Sequence, residues 1–347
     1  MSLTRIFIYF NIVLVILLVT LFFFKDAIEM YWYSHQKVKQ EKYIFIPTGA
    51  NLLTVTDLLE REKIIDEVDL FIKLAQQKNY QERQVVPGKY KVEAYFTINH
   101  LINNLRAGRS ALQVKITLNK ITYLEDLLRI LAEHLEPTSD QFLTYLKNPK
   151  TYEKYQLSEE NFLTFFISDS YHFWWNTSPE QFVERMFQEH QKFWNTERLK
   201  KAENIGLKPE EVVILASIVK AEQEYHIDEQ PVIAGLYLNR LRKGMRLQAD
   251  PTVKYAVNDR TLRRILNRHL QMDHPYNTYK RKGLPPGPIN LPEKHSIDAV
   301  LNYTRHNYIY MCAMPGYSGK HAFASTYTAH QKNAKEYINW LNEQGIR

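Results

Sequence analysis

The sequence predicts an α+β protein with a single N-terminal transmembrane helix followed by two folded parts. Three observations lead to this prediction. Residues 6–24 form an almost unbroken apolar run. Residues 43–118 alternate between strand-like and helical spacing, which is typical of a small α+β module. Residues 119–347 are mainly helical at first and then rich in polar loops, which indicates a larger, mostly helical domain of mixed α+β character.

The N-terminal run IFIYFNIVLVILLVTLFFF is long enough, as a helix, to cross a ~30 Å hydrocarbon core. No small-x-small cleavage site follows it, so we predict an uncleaved signal anchor over residues 1–30 that enters the bilayer through residues 6–24. The positive-inside rule leaves the orientation open, because Arg5 on one flank faces several lysines diluted by acids on the other. A polar, tyrosine-rich linker is predicted over residues 31–42.

Composition limits the possible functions. A net charge of +7 suggests an anionic partner, although a soluble basic surface explains it equally well. The single cysteine, Cys312, excludes an internal disulfide framework, and its apolar surroundings predict a buried, inert thiol. We expect no nucleic-acid partner, because the chain has an anchor and no recognisable nucleic-acid-binding motif. We also expect no metal, because the histidines lack a ligand spacing.

The module at residues 43–118 reads as strand, two helices and strand, and then as a helix that Gly108 ends and a further strand. The second part divides into a helical subregion at residues 122–201 and a core at residues 205–347. An aromatic cluster, YHFWW, interrupts the helical subregion at residues 171–175. These rings could stack on a sugar face or a base, but ordinary packing is the favoured interpretation.

The stretch ILASIVKAEQEYH begins as a buried-type helix and ends in carboxylates. Advancing each residue by ~100° puts Glu222 on the apolar stripe of Leu215 and Ile218, whereas Lys220 and Glu224 point away from it. A carboxyl group against apolar neighbours has a raised pKa and can donate a proton near neutrality. On position alone, a structural glutamate at a helix end remains the alternative.

Three downstream segments carry polar residues on rigid loops. A helix opened by Pro231 and ended by Gly244 leads into a loop with Gln248 and Asp250. The stretch HPYNTYKRKGLPPGPINLP is rich in proline, and YIYMCAMPGYSGKHAFASTYTAHQ reads as a strand followed by a glycine-rich turn. Loops of this kind frequently carry functional sites.

The motifs ASIVxxE, YLNRLRKGMRLQADPTVKY, YNTYxxxGLPPGPI and GKHAFxxTxxxH agree in order and spacing with one family. Over roughly residues 121–347 the chain resembles the endolytic murein transglycosylases of the MltG or YceG-like type. The N-terminal module resembles the LysM-like domain of that family more weakly. The resemblance implies a lysozyme-like cleft in the catalytic domain at residues 119–347.

The resemblance also implies roles for individual residues. Glu222 matches the catalytic acid, which protonates the glycosidic oxygen and then, as a carboxylate, takes the proton of the muramic acid C6 hydroxyl, so that a 1,6-anhydro end forms. The residues that match the surrounding motifs, and are implied to bind substrate, are Asn239, Arg240, Gln248, Asp250, Tyr276, Asn277, Thr278, Pro285, Pro286, His321, Phe323 and His330.

The chain departs from the family pattern in two places. Lys220 stands where many members carry an acid, and its position off the stripe predicts that this site tolerates change. The stretch LTFFISDSY keeps only Asp169 and Tyr171 of a motif in the helical subregion.

The family implies a single-pass protein of the inner membrane, with the N-terminus in the cytoplasm and the bulk of the chain in the periplasm. Nascent peptidoglycan glycan strands are the implied substrate, peptidoglycan synthases are candidate partners, and no cofactor is needed.

Two rival functions remain open at this point. One is a glycoside hydrolase with two carboxylates, in which Asp250 or Asp228 acts with Glu222. The other is a non-catalytic, membrane-tethered protein that binds glycan through its LysM-like module and its aromatic residues. The products separate the hydrolase from a transglycosylase, because hydrolysis leaves a reducing end and lytic cleavage leaves an anhydro end.

Overall fold

A computed structural model describes residues 3–80, 85–262, 264–316 and 318–345 of the chain. The chain forms two compact units. Unit 1 comprises residues 1–114 and 172–177, and unit 2 comprises residues 115–171 and 178–347. The mixed α+β class and the apolar N-terminal helix that the sequence predicted are confirmed.

The apolar helix α1 is longer than the anchor that the sequence predicted. It runs over Leu3–His35, and by length and composition it can cross a membrane. The predicted linker is therefore helical as far as His35. Tyr33 is buried in the core of unit 1 and donates a hydrogen bond to the Glu67 carbonyl (3.1 Å), and Val38 is also buried there. Part of the stretch predicted as a polar linker therefore belongs to the hydrophobic core of unit 1.

Unit 1 packs three helices on one face of an antiparallel sheet. Its elements after α1 are β1 (Lys42–Ile46), α2 (Leu52–Arg61), α3 (Val68–Gln77), β2 (Gly88–Val92), α4 (Ile98–Ala107) and β3 (Ala111–Thr117). Ile44 and Tyr90 lie opposite each other on β1 and β2, and both point into the core that α2, α3 and α4 cover. The order of strands and helices agrees with the sequence prediction, and Gly108 ends α4 in the left-handed conformation.

The sheet has the order β1-β2-β3-β4, and its fourth strand was not predicted. This strand, β4 (Ser170–Trp174), comes from the aromatic cluster. Tyr171 and Phe173 are buried, which confirms the packing interpretation for these two rings, but Trp174 is exposed. Alternation along a strand explains the difference, since successive side chains point to opposite faces of the sheet.

Unit 2 is mostly helical. Its helices are α5 (Leu124–His134), α6 (Ser139–Leu146), α7 (Pro149–Tyr155), α8 (Pro179–Phe193), α9 (Thr196–Ile205), α10 (Pro209–Glu222), α11 (Gln230–Arg242), α12 (Asp250–Val257), α13 (Asn267–Leu270), α14 (Lys294–Leu301) and α15 (Tyr327–Glu343). A two-stranded antiparallel sheet joins β5 (Tyr310–Ala313) to β6 (His321–Ala324).

Helix α10 lies at the centre of the unit 2 core, where it packs against α11 and α14. It is buried on all sides from Val212 to Lys220, so it has no single apolar stripe. The prediction that Lys220 points away from the buried face of the helix is wrong, and with it goes the reason for expecting that this position tolerates change. Its ammonium group donates to Glu293 (2.7 Å) and to the Leu291 carbonyl (3.0 Å), and the side chain is buried. Loss of this partner would leave Glu293 with an unpaired charge near the core.

Candidate active site

Glu222 is the last residue of α10, and it stands where the helix leaves the core. Its side chain is half-buried, and its Oε1 accepts a hydrogen bond of 2.6 Å from the Tyr237 hydroxyl on α11. Burial raises the pKa of Glu222 to about 7; the Tyr237 hydrogen bond lowers it, and the negative charge of Asp250 raises it further. The carboxyl group therefore exchanges a proton readily near neutral pH.

Two cavities meet at Glu222 and Asp250. The first has a volume of about 590 Å³ and extends past Tyr123, Lys254 and Tyr255. The second has a volume of about 410 Å³, and both cavities are lined by Glu222 and Asp250. A polymer bound at this junction can therefore occupy space on both sides of the Glu222 carboxyl group.

Asp250 is the first residue of α12, whereas the sequence placed it in a loop. The turn predicted from Asp250-Pro251 is a helix start, because proline is well tolerated in the first helical turn. The Tyr279 hydroxyl donates to Asp250 Oδ1 at 2.6 Å. Each of the two carboxyl groups at the junction thus accepts a hydrogen bond from a tyrosine.

Arg240 fixes the loop that leads to Asp250. Its guanidinium group donates to the carbonyls of Arg246 (3.0 Å) and Ile309 (3.2 Å) and to the side-chain oxygen of Gln248. Gln248 has a positive φ of 53°, a strained conformation for a residue with a side chain. Arg240 and Gln248 both line the second cavity, so this loop forms part of its wall.

A buried carboxylate positions His321 in the second cavity. Glu229 accepts hydrogen bonds from the His321 backbone N–H and from Nδ1 of its ring, both at 3.0 Å. Gln223, the residue after Glu222, donates to the same carboxylate at 2.9 Å. Although burial raises the pKa of Glu229, the hydrogen bonds from His321 and Gln223 bring it below its usual value. The ionised Glu229 thus joins the end of α10 to the start of β6.

His330 and Cys312 also line the second cavity. Burial and the Arg240 charge lower the pKa of His330, which keeps its ring neutral, and the ring stacks on Tyr310. Cys312 is half-buried rather than buried, and burial raises its pKa, which disfavours the reactive thiolate.

The other sequence-predicted residues hold loops in place outside these two cavities. They are Asn239, Tyr276, Asn277, Thr278, Pro285, Pro286 and Phe323. Asn239 donates to the carbonyls of His306 (2.7 Å) and Tyr308 (3.1 Å), and the Thr278 hydroxyl accepts from the Ala249 N–H (3.0 Å).

The remaining loop contacts are similar in kind. Asn277 is fully buried and donates to two backbone carbonyls, and the Tyr276 ring contacts the Tyr255 ring at a tilt of 43°, with ring centroids 4.7 Å apart. Phe323 stacks on Tyr308. Pro285 is buried and Pro286 is exposed. In this structure the motif residues therefore divide into a group at the cavities and a group that supports their walls.

Three site residues were missed by the sequence analysis: Tyr237, Tyr279 and Glu229. Tyr237 and Tyr279 stand inside motifs that pointed to the family, so a signal for them was present. Glu229 gave no such signal, because an acid before a helix is ordinarily explained by the helix dipole.

Known families, proteins and solved structures include relatives of this chain. The YceG-like family matches residues 44–336. An endolytic murein transglycosylase of Bacillus subtilis (strain 168) is 26% identical, over 87% of this chain and 86% of that protein. An endolytic murein transglycosylase of Streptococcus pneumoniae serotype 2 is 23% identical, over 86% of this chain and 59% of that longer protein.

Among solved structures, a YceG-like protein of Listeria monocytogenes superposes with a TM-score of 0.56 and 23% identity, over 85% of this chain and 99% of that one. This likeness concerns the fold. The family match covers most of the chain, including all four motifs around the cavities. The chain therefore belongs to the YceG-like family.

Proposed function

We propose that this protein is a membrane-anchored lytic transglycosylase that cleaves the MurNAc-GlcNAc β-1,4 bond inside peptidoglycan glycan strands and leaves a 1,6-anhydroMurNAc end. The names of the B. subtilis and S. pneumoniae relatives support the substrate and the reaction type. The observation that carries the proposal is the half-buried Glu222 carboxyl group, with a pKa of about 7, at the junction of two cavities.

In the first step, protonated Glu222 donates its proton to the glycosidic oxygen. The bond between that oxygen and C1 of MurNAc breaks, and the GlcNAc hydroxyl leaves. Positive charge develops at C1, and the nearby Asp250 carboxylate stabilises it. The Tyr237 hydroxyl keeps donating to Glu222 throughout, because burial and the neighbouring Glu222 hold the pKa of Tyr237 well above its usual value.

In the second step, the Glu222 carboxylate accepts the proton of the MurNAc C6 hydroxyl. The C6 oxygen then bonds to C1 and closes the 1,6-anhydro ring, so that no water is consumed and Glu222 is protonated again. A group with a pKa near the ambient pH is suited to both steps, since it neither holds nor releases the proton too strongly.

A two-carboxylate hydrolase is the second candidate, and the position of Asp250 favours it over a non-catalytic tether. Asp250 lines both cavities with Glu222. Asp228 does not suit this role, because it is exposed, pairs with Lys320 at 2.9 Å and lies outside both cavities. The identity of the product end separates this candidate from the lytic reaction.

The localisation that we propose follows from the anchor and the substrate. Helix α1 crosses the cytoplasmic membrane with its N-terminus inside, and units 1 and 2 lie on the outer side, in the periplasm where an outer membrane is present. Peptidoglycan synthases stay a prediction as partners. The LysM-like character of unit 1 and the lysozyme-like shape of the cleft also stay predictions.

Cleavage inside strands is tested by the size of the first products. The full chain is incubated with purified peptidoglycan sacculi, and the released glycans are separated by length at early times. Because space is present on both sides of Glu222, we expect fragments of many lengths at first. Disaccharides as the only early product would contradict internal cleavage.

Tyr237→Phe is expected to shift the pH dependence of cleavage. The hydroxyl stabilises the ionised form of Glu222, so its removal raises the pKa of that carboxyl group above about 7. The acid step then persists to higher pH, and the basic limb of the kcat profile moves upward. The overall rate falls about tenfold, because the Glu222 side chain loses a contact that positions it and, with a higher pKa, is a weaker proton donor.

The measurement for Tyr237→Phe is kcat against pH for the variant and the wild type. Tyr225→Phe is the control, because this exposed tyrosine follows Glu222 closely in the chain and makes no described hydrogen bond to it. An unchanged basic limb in Tyr237→Phe would show that the hydrogen bond does not tune the acid.

A further inference from the structure

The outer face of the unit 1 sheet carries a row of exposed rings. Ile44 and Ile46 on β1 point into the core, whereas Tyr43 and Phe45 point outward and are 49% and 41% exposed. An antiparallel sheet with one wet face normally presents polar side chains there. Apolar rings on that face therefore need an explanation other than the packing of unit 1.

The row continues across the neighbouring strands. Lys89 on β2 is the partner of Phe45 on β1 and of Leu112 on β3, and Leu112 is 37% exposed. Trp175, just after β4, contacts Phe45 with ring centroids 5.2 Å apart. Trp174 on β4 is 51% exposed. We call these residues, together with Tyr43, the aromatic platform.

A cation lies on this platform without an acidic partner. Lys89 Nζ is 4.6 Å from the centre of the Tyr43 ring and 5.7 Å from that of Phe45. Its neighbour Lys91, in contrast, pairs with Glu41 and Glu93. Among the described residues Lys89 has no carboxylate partner, so its charge is available to an anionic ligand.

We propose that the aromatic platform binds a peptidoglycan glycan strand outside the catalytic site. Flat rings in a row suit the C–H-rich faces of successive sugars, which pack on aromatic surfaces as apolar groups do. Lys89 suits the carboxylates of the acidic stem peptides that the strand carries. This inference rests on the proposed function for the choice of glycan.

The position of the anchor favours a glycan over a lipid surface as the occupant. The end of α1 packs against α3 and α4, and Tyr33 shares their core on the inner side of the sheet. The aromatic platform is on the opposite side of the sheet. The end of α1 and the aromatic platform thus lie on opposite faces of the sheet.

The platform is tested by binding without cleavage. The full chain in lipid nanodiscs carries Glu222→Gln, so that glycan is not digested, and is sedimented with purified peptidoglycan sacculi. We expect the added pair Phe45→Ala and Trp174→Ala to weaken binding about tenfold, in line with the loss of two stacking rings. Lys89→Glu is expected to weaken binding as well, and more so at low salt.

Tyr95→Ala is the matched control, because Tyr95 is 64% exposed in the same unit and lies in the turn after β2, off the strands of the platform. Melting curves check that each variant is folded; the substituted rings are exposed and Lys89 is half-buried. Wild-type affinity in both the double variant and Lys89→Glu would overturn the proposal.

A lipid occupant has its own readout. In nanodiscs that contain brominated phospholipid, Trp174→Phe is expected to leave the amount of tryptophan fluorescence lost to the quencher unchanged, so that the quenched fraction does not fall. A smaller quenched fraction in that variant would show that the bilayer covers the platform, and would overturn the proposal. The sedimentation assay measures binding alone and requires no cleavage. The proposed lytic activity is tested separately by the products, so the two proposals can fail independently.

Discussion

Glu222→Gln is expected to lower kcat for glycan cleavage by about 10³-fold, within the range that general acid–base catalysis contributes. The amide has nearly the shape of the acid and can still accept the Tyr237 hydrogen bond, but it can neither give nor take the proton. The KM for glycan is expected to change little, since the cavity walls are unaltered. The measurement is the initial rate of strand release from purified sacculi.

Glu210→Gln is the control for this prediction. Glu210 is an exposed acid at the first turn of the same helix, so the substitution is identical and only the position differs. We expect wild-type activity for it. If the Glu222→Gln variant kept more than about a tenth of the wild-type rate, Glu222 would not be the general acid and base of the reaction. Binding without cleavage in the wild type as well would favour the non-catalytic tether.

Glu229→Gln is expected to lower kcat by about 10–100-fold, because hydrogen bonds to a charged group contribute about 1.5–3 kcal/mol each. The carboxylate accepts from Gln223 and from two groups of His321. With an amide in its place, the side-chain NH2 group faces at least one of these donors, so at least one hydrogen bond is lost. Gln223 directly follows Glu222, so the change loosens the end of α10 that presents the acid.

The matched control is Asp228→Asn, since Asp228 is the adjacent acid but is exposed and paired with Lys320. Steady-state kinetics and a melting curve are measured for both variants. We expect a loss in kcat with a smaller change in KM for Glu229→Gln, and no change for Asp228→Asn. Equal losses in the two variants would contradict a specific role for Glu229. That result would instead favour Asp228 as the second carboxylate of a hydrolase.

Local patterns in the sequence predicted most elements of unit 1 and the start of α10. Alternation marked β1, and Gly108 marked the end of α4, because both signals act within a few residues. The apolar character of residues 6–24 predicted the apolar helix α1 for the same reason. Helical periodicity gave the wrong placement for Lys220. A helical-wheel projection assumes one buried and one exposed face, and α10 is buried on all sides from Val212 to Lys220.

The contacts that define the candidate site could not be predicted from the sequence. Tyr237 reaches Glu222 across 15 positions, and His321 reaches Glu229 across 92. Pairing over such distances depends on how helices and loops pack, which residue spacing does not encode. The motifs did contain Glu222, Asp250 and His321, which line the same cavity. They did not distinguish residues that line the cavity from residues that support its walls.

The mass of the newly formed glycan ends tests the central claim most directly. The full chain digests purified sacculi, and the released fragments are analysed by mass spectrometry without prior reduction. Attack by the C6 hydroxyl predicts 1,6-anhydroMurNAc ends, each lighter by one water than a hydrolysed end, and their disappearance in Glu222→Gln. Reducing MurNAc ends from the wild type would contradict the lytic reaction and favour hydrolysis by Glu222 with Asp250.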